Sequence, residues 1–184
     1  MSLVINLDTS LDKSYAQPVA LCLFEEKMPL HGCAGMIDWE LCGELSRMIA
    51  GKRFVSKEKA KMLLYLRLSC MPERKVLVYG MGRKHTLTPR KMSLLTEDLM
   101  NTLSKLSIRS FVHAIPVLYG INEDIHGLLE SVAYSILKFT SAAQYEYKLG
   151  LMWDNISQMD IVSSFKGAVS ALPDASLSII EKED

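Results

Sequence analysis

The chain has 184 residues, of which 49% are hydrophobic and 23% are charged, and its 21 basic side chains equal its 21 acidic ones in number. This profile predicts one soluble globular domain over residues 1–184, and the balanced charge argues against a nucleic-acid binder. The longest apolar run, 19–24, is far shorter than the roughly 20 residues of a membrane helix, so we expect no membrane partner. Since the first residues also lack the pattern of a secretory signal, we expect a cytoplasmic protein.

The charges are unevenly distributed along the sequence. Residues 1–92 carry 15 basic and 9 acidic side chains, whereas residues 93–184 carry 6 basic and 12 acidic ones. Such a dipole can favour self-association or an anionic ligand near the basic half, and an ordinary uneven surface is the alternative.

Short apolar runs predict buried strands. The runs at 19–24, 76–79 and 111–118 are almost continuously apolar and rich in Val, Leu and Phe. This is typical of strands that are covered on both faces of a sheet. Residues 3–7 give one further strand.

Two other segments, 61–67 and 145–153, alternate between apolar and polar residues. In a strand, this alternation places the apolar side chains on one face and the polar side chains on the other. We therefore expect two half-covered strands near a sheet edge.

Four segments repeat apolar residues at steps of three and four, as amphipathic helices do. These segments are 37–48, 92–106, 125–139 and 162–172. Thr88 before Pro89 predicts the start of the second helix, residues 122–124 predict the start of the third, and Gly51 predicts the end of the first.

The order of these elements is strand, strand, helix, strand, strand, helix, strand, helix, strand, helix. An α/β protein with this order needs a mixed sheet with helices on both faces. We therefore predict a three-layer α/β/α sandwich with about six strands.

A glycine-containing segment joins the strand at 19–24 to the first helix, and it includes Gly32, Cys33, Ala34 and Gly35. At this position in an open α/β sheet, backbone N–H groups and the helix N-terminus can bind an anion. The alternative is that the two glycines only permit a tight turn and close packing of helix on sheet.

A second glycine turn, with Gly80 and Gly82, follows the strand at 76–79. His85 stands where a dinucleotide-binding fingerprint has its third glycine, so a Rossmann site is disfavoured. Arg83 and Lys84 can assist an anion site, and a solvated basic loop is the alternative.

Catalytic and metal-binding motifs were not found in the sequence. The cysteines lack Cys-x-x-Cys pairs, and no His-Glu-x-x-His or nucleophile-elbow pattern occurs, so we predict no catalytic residue, no metal and no cofactor. We expect reduced thiols at the four cysteines, which are Cys22, Cys33, Cys42 and Cys70.

Trp39 and His113 do not fit the pattern of the segments in which they lie. Trp39 is out of step with the apolar stripe of the first helix, so it covers a loop or faces a partner, with packing at the core edge as the alternative. His113 lies inside an apolar run, and we expect it to be a hydrogen-bonded core histidine.

Residues 18–54 resemble a known family. They contain an apolar strand, Phe-Glu-Glu, Pro-Leu-x-Gly-x-Ala-Gly and Asp-Trp-x-Leu-x-Gly-x-Leu-Ser. This order resembles the N-terminal domain of leucyl (cytosol) aminopeptidases, and Val-Leu-Val-Tyr-Gly-Met-Gly at 76–82 is similar to that domain's second glycine turn. The resemblance spans much of residues 1–155 and implies a macro-domain-like α/β/α fold.

The same resemblance implies that no catalytic residue is carried over. In that family the metal ions and the catalytic lysine and arginine belong to a large C-terminal domain with an Asn-Thr-Asp-Ala-Glu-Gly-Arg motif, which this sequence lacks. Macro domains bind ADP-ribose through a glycine-rich loop before a helix, and residues 32–35 look like a remnant of that loop. Phe24-Glu25-Glu26 replaces the Asn-rich segment that is expected there.

We therefore expect a non-catalytic, stand-alone relative of this domain that contacts another protein or forms a homo-oligomer, with the strand at 145–153 as a candidate edge. The alternative is a module that binds a small nucleotide-like or ADP-ribose-like anion at the two glycine turns, or a hydrolase acting on such a ligand. An open cleft lined by both turns favours the ligand, whereas a filled crevice favours protein contact.

Overall fold

One seven-stranded sheet organises the protein in a computed structural model that describes residues 2–6, 17–25, 29–66, 73–116, 125–143, 146–153, 157–172 and 175–180. The strands are β1 (Ser2–Asn6), β2 (Val19–Phe24), β3 (Lys61–Leu66), β4 (Arg74–Gly82), β5 (Ser110–Ala114), β6 (Tyr147–Met152) and β7 (Ser176–Ile180). Their order across the sheet is β3-β4-β2-β5-β6-β1-β7. Only the β3–β4 pair is antiparallel among these described strands.

Helices connect the strands and cover both faces. They are α1 (Gly32–Glu40), α2 (Glu44–Ala50), α3 (Pro89–Lys105), α4 (Ile125–Ala142) and α5 (Gln158–Ser170), with a short 3₁₀ turn at Lys84–Thr86. In the described part of the chain, every helix is too short or too polar to cross a membrane. The predicted α/β/α sandwich with a mixed sheet is confirmed, with seven strands instead of about six.

The larger core lies between the sheet and α3, α4 and α5. Strand residues such as Leu3, Tyr79, Phe111 and Leu149 are at most 1% exposed in this core. They pack with the apolar stripes of the three helices, which face the sheet because those stripes recur every three or four residues. We refer to this side of the sheet as the three-helix face.

The smaller core lies on the opposite side, under α1 and α2. Ile37 and Leu45 are fully buried there against Val19, Val76 and Val78. Because side chains alternate between the two faces of a strand, β2 and β4 contribute to both cores, as their continuous apolar runs predict. We refer to this side as the two-helix face.

The edge prediction for the two alternating strands was right for β3 and wrong for β6. β3 is the outermost strand, but β6 lies between β5 and β1. Tyr147, Leu149 and Leu151 of β6 face the three-helix core, whereas Lys148 is exposed on the other side. The alternation therefore indicates that one face is covered, and it does not indicate an edge.

The first helical stripe, 37–48, belongs to two helices instead of one. α1 and α2 are separated by a turn in which Cys42 and Gly43 adopt positive φ angles of 52° and 77°. The Gly43 N–H donates to the Asp38 carbonyl at 2.8 Å, which closes α1, and Gly51 ends α2 as predicted. Leu45 stays buried after the break because the turn returns the chain to the same face.

The remaining boundaries differ in detail. Thr88 begins α3 as predicted, since its side chain accepts a hydrogen bond from the Lys91 N–H, and Pro89 occupies the first turn. β5 ends at Ala114, and residues 117–118 of the predicted strand lie outside the described residues, as does the predicted cap at 122–124. β7 was not predicted.

Candidate functional site

The sheet topology places a candidate site at the carboxyl ends of β2 and β5. The chain leaves β2 toward α1 on the two-helix face, whereas it leaves β5 toward α4 on the three-helix face. The crevice outside such a switch point is where open α/β sheets bind ligands. The described residues at the ends of these two strands are Phe24 and Glu25 for β2 and Ile115 and Pro116 for β5.

The predicted residues Gly32, Cys33, Ala34 and Gly35 form the first turn of α1, beside this edge. The Cys33 side chain is 4% exposed and packs into the two-helix core, so it holds the helix on the sheet. A Cβ atom at Gly35 would lie 2.8 Å from the Leu30 carbonyl oxygen, so the turn requires glycine at this position. The packing role of Gly35 is thus visible, and anion binding by this turn stays a prediction.

Gly80 and Gly82 are packed against the segment 55–60, which precedes β3. A Cβ atom at Gly80 would lie 2.0 Å from the Lys57 carbonyl oxygen. The Gly80 N–H donates to the Ala60 carbonyl at 2.8 Å, and the Gly82 N–H donates to the Ser56 carbonyl at 3.0 Å. Both amide hydrogens are therefore used within the chain, and the segment before β3 lies directly against these two glycines.

Arg83 and Lys84 lie next to the end of β2. The Arg83 Nε is 3.8 Å from the Glu25 Oε2, and the Lys84 Nζ is 5.8 Å from the centroid of the Phe24 ring. The structure therefore brings these two predicted basic residues to the chain that leads into α1.

Two further basic residues at this edge, Lys57 and Lys59, were not predicted. Both are exposed, and the contact of the 55–60 segment with Gly80 holds them beside the carboxyl end of β4. Neither forms a salt bridge with any part of the chain that the structure describes, whereas the nearby Glu58 is neutralised by Lys91 at 2.9 Å. The described part of this edge therefore carries a cluster of basic side chains, formed by Lys57, Lys59, Arg83 and Lys84. No local sequence pattern reports it, because it depends on a contact between distant segments.

A buried polar pair lies in the core behind this edge. The Cys22 Sγ is 3.5 Å from the His113 Nε2, which confirms the prediction of a hydrogen-bonded core histidine. Burial raises the pKa of Cys22 to about 12 and lowers the pKa of His113 to about 4, so both groups are neutral at pH 7. A thiol in this state is a poor nucleophile.

A second polar group joins β3, β4 and α3. The Tyr79 hydroxyl donates to the Asp98 Oδ2 at 2.8 Å, and the Lys61 Nζ lies 2.7 Å from the same oxygen. Burial works to raise the pKa of Asp98, but the hydrogen bonds from Lys61 and Tyr79 outweigh it and lower that pKa below its usual value. Burial and the adjacent Asp98 raise the pKa of Tyr79, so the phenol remains protonated.

A groove of about 480 Å³ lies between α3 and α4. Its lining includes Phe139, Ala142 and Tyr147, together with Lys138 and Glu97, which form an ion pair of 3.2 Å. It contains none of the predicted ligand residues. Among the described residues, no three His, Cys, Asp or Glu side chains are grouped to hold a metal ion.

The most exposed aromatic feature of the described residues is on α1. The Trp39 side chain is 84% exposed, and Met36, three residues earlier on the same helical face, is 53% exposed. Of the two alternatives for Trp39, packing at the core edge is therefore wrong.

The outer surface of α1 is held rigidly from both sides of Trp39. The Asp38 carboxylate accepts from the Ser46 N–H at 2.9 Å and from the Ser46 hydroxyl. Glu40 forms an ion pair of 2.6 Å with Arg74, whose side chain is only 4% exposed. Trp39 is thus presented from a fixed backbone.

Comparison with known proteins supports the fold. No protein-family model and no curated protein matches the sequence. A solved variant of tomato leucine aminopeptidase is similar, with a TM-score of 0.64 and 16% identity, over 91% of this chain and 35% of that one. The chain thus spans about a third of the aminopeptidase, in its N-terminal region.

Two macrodomains are also similar. A variant macrodomain from Oceanobacillus iheyensis has a TM-score of 0.60 and 14% identity, over 92% of each chain. A macrodomain from Trypanosoma brucei, solved in complex with ADP, has a TM-score of 0.65 and 11% identity, over 91% of this chain and 69% of that one. The chain therefore has the macro-domain-like fold that macrodomains share with the N-terminal region of leucine aminopeptidase.

Proposed function

We propose that this chain is a non-catalytic module that acts by binding another protein through α1. The single observation that carries this proposal is the exposed pair of Trp39 and Met36 on one face of that helix. Tryptophan is enriched among the residues that dominate protein–protein binding energy, because it buries a large apolar area with few rotatable bonds.

The rigidity of α1 supports the same proposal. Ile37 and Cys33 anchor the inner side of the helix in the two-helix core, while Asp38 and Glu40 tie its end to α2 and β4. Because this surface is already ordered, binding of a partner over Trp39 costs little conformational entropy. The amides of Gly80 and Gly82 are bonded within the chain and so do not serve a small anion, which also favours protein contact.

A second candidate is binding of a small phosphate-bearing anion at the carboxyl edge of β2. The observation in its favour is the group of basic side chains formed by Lys57, Lys59 and the neighbouring Lys84. The ADP in the Trypanosoma brucei macrodomain makes ADP and pyrophosphate the natural probes. Each charge contact between exposed groups contributes about 0.2–1 kcal/mol, so we expect weak affinity.

Site-specific photocrosslinking in the native cells tests the first candidate. A photoreactive phenylalanine analogue replaces Trp39 in one variant and Tyr134, which is 38% exposed on α4, in a matched control. We expect a discrete protein adduct from position 39 and none from position 134. The absence of an adduct at position 39, or the same adducts at both positions, would contradict the proposal.

Thermal stabilisation by ADP and by pyrophosphate tests the second candidate. Ligand at 100 times its dissociation constant raises the free energy of unfolding by about 2.7 kcal/mol. We expect Lys57→Ala to reduce this stabilisation, and we expect Lys138→Ala, on the opposite side of the molecule, to leave it unchanged. If the wild-type protein is not stabilised at millimolar concentrations of either probe, the second candidate is rejected.

A further inference from the structure

β3 is an edge strand of the sheet, and its side chains favour pairing with a further strand. β3 bonds to β4 on one side, and among the described residues no strand pairs with its other side. Leu63 is 46% exposed and Tyr65 is 57% exposed on the three-helix side of this strand, while Met62 and Leu64 pack against the two-helix core. Both faces of the edge strand are therefore apolar.

This edge lacks the features that normally prevent pairing. Its register with β4 is regular from Lys61 to Leu66, without a bulge, and it contains no proline. The one lysine in the strand, Lys61, has its ammonium group 2.7 Å from Asp98. Its charge is thus partly neutralised and drawn toward α3, so it protects the edge less than a free lysine would.

We propose that β3 pairs antiparallel with β3 of a second copy, about a two-fold axis at Leu63, and so extends the sheet across a dimer. This register places Leu63 opposite itself, Lys61 opposite Tyr65 and Met62 opposite Leu64. Lys61 keeps its contact with Asp98, Tyr65 keeps Lys75 over its ring at 5.6 Å, and no like charges are directly opposed in the paired strands. The strand is self-complementary, as a two-fold interface requires.

The other edge of the sheet is less suited to this contact. On the face of β7 that is turned away from the three-helix core, the described side chains are serines and Ile180. Pairing at β3 also uses residues outside α1, so the dimer adds a second surface to the function proposed above. Because a six-residue strand gives a small interface, we expect dissociation in the micromolar range.

Disulfide trapping in the full chain tests both the contact and its register. In a background with Cys42→Ser and Cys70→Ser, we expect Leu63→Cys to form a covalent dimer under mild oxidation, since directly opposed Cα atoms lie about 4.5–5.5 Å apart. Tyr65→Cys is the matched control, because the two copies of residue 65 would be about 13 Å apart. Equal trapping at both positions, or none at position 63, would overturn the proposal.

Sedimentation velocity over a concentration series gives an independent test. We expect Leu63→Lys, which opposes two like charges, to weaken dimerisation at least about tenfold, whereas Leu94→Lys, at an exposed site on α3, leaves it unchanged. A wild-type protein that remains monomeric at high micromolar concentration, or a dimer that Leu63→Lys does not weaken, would refute the β3 contact. Trp39→Ala should not alter dimerisation, so failure of the α1 proposal is distinguishable from failure of this one.

Discussion

The two faces of the sheet are covered very differently. The three-helix face has helices of 17, 18 and 13 residues, whereas the two-helix face has helices of 9 and 7 residues. The first core includes side chains of β1 and is flanked by β7, while the second includes none from either strand among the described residues. The comparison indicates that the three-helix face supplies most of the free energy of folding. Since the fold depends less on α1, this helix can expose apolar side chains such as Trp39 and Met36.

The largest expected effect comes from a substitution that creates a cavity in the three-helix core. Phe111 is 1% exposed, and we expect Phe111→Ala to lower the free energy of unfolding by about 3–5 kcal/mol, since it removes apolar contacts and leaves a void. Urea denaturation measures the effect. Leu94→Ala, at a side chain 52% exposed on α3, serves as control and should change stability by about 0.5 kcal/mol or less.

On the two-helix face, the ion pair between Glu40 and the buried Arg74 can be tested in the same way. Glu40→Gln removes the carboxylate charge 2.6 Å from the buried Arg74 guanidinium, and we expect a loss of up to about 3 kcal/mol. Glu44→Gln removes the exposed i,i+3 pair with Arg47, and the same measurement should then show a loss of about 0.5 kcal/mol or less. Equal losses in the two variants would mean that the Glu40 pair does not anchor α1.

Acid should act on the three-helix face through His113. Its pKa is about 4 in the folded protein and 6.5 in the unfolded chain, so between these values only the unfolded state binds the proton. Stability from this group is complete above pH 6.5 and is lost as the pH falls toward 4, up to about 3 kcal/mol. The lowered pKa of Asp98 adds a further loss, which begins at the acid end of this window and grows as the pH falls through 3.8, the usual value of that carboxyl.

The non-titrating variant His113→Gln isolates this contribution. We expect the stability difference between wild type and variant to shrink as the pH falls from 6.5 to 4, in chemical denaturation at each pH. A difference that stays constant over this range would show that His113 does not carry the acid sensitivity.

The smallest expected effect concerns the start of α3. Thr88→Ala removes the hydrogen bond that the Lys91 N–H donates to the threonine hydroxyl, at a cost of about 1 kcal/mol. Thr88→Ser keeps an acceptor at the same place and should recover most of the loss in thermal unfolding.

Predictions from sequence succeeded where the signal is local. The apolar runs gave β2 and β4, and steps of three and four gave α3, because burial of a strand or a helix face leaves its period in the sequence. The break between α1 and α2 was missed because Leu41 and Leu45 stay in phase across a turn that is marked by the positive φ angles of Cys42 and Gly43.

The candidate site was predicted only in part, for a related reason. Proximity of Arg83 and Lys84 to the end of β2 follows from the parallel pairing of neighbouring strands, which the element order predicts. Lys57 and Lys59 reach the same edge because the 55–60 segment packs on Gly80. Such a contact between distant segments leaves no periodic signal.

The position of β1 has a consequence for folding during synthesis. β1 holds residues 2–6 yet pairs with β6 on one side and β7 on the other, so both of its neighbours lie more than 140 positions later. While the chain emerges from the ribosome, this segment therefore stays without its partners until almost all of the described sequence has been made. Loop closure over such distances is slow, and the insertion of β1 between β6 and β7 is expected among the last folding events. An N-terminal tag that hinders this step would lower the yield of folded protein, although it changes no residue of the core.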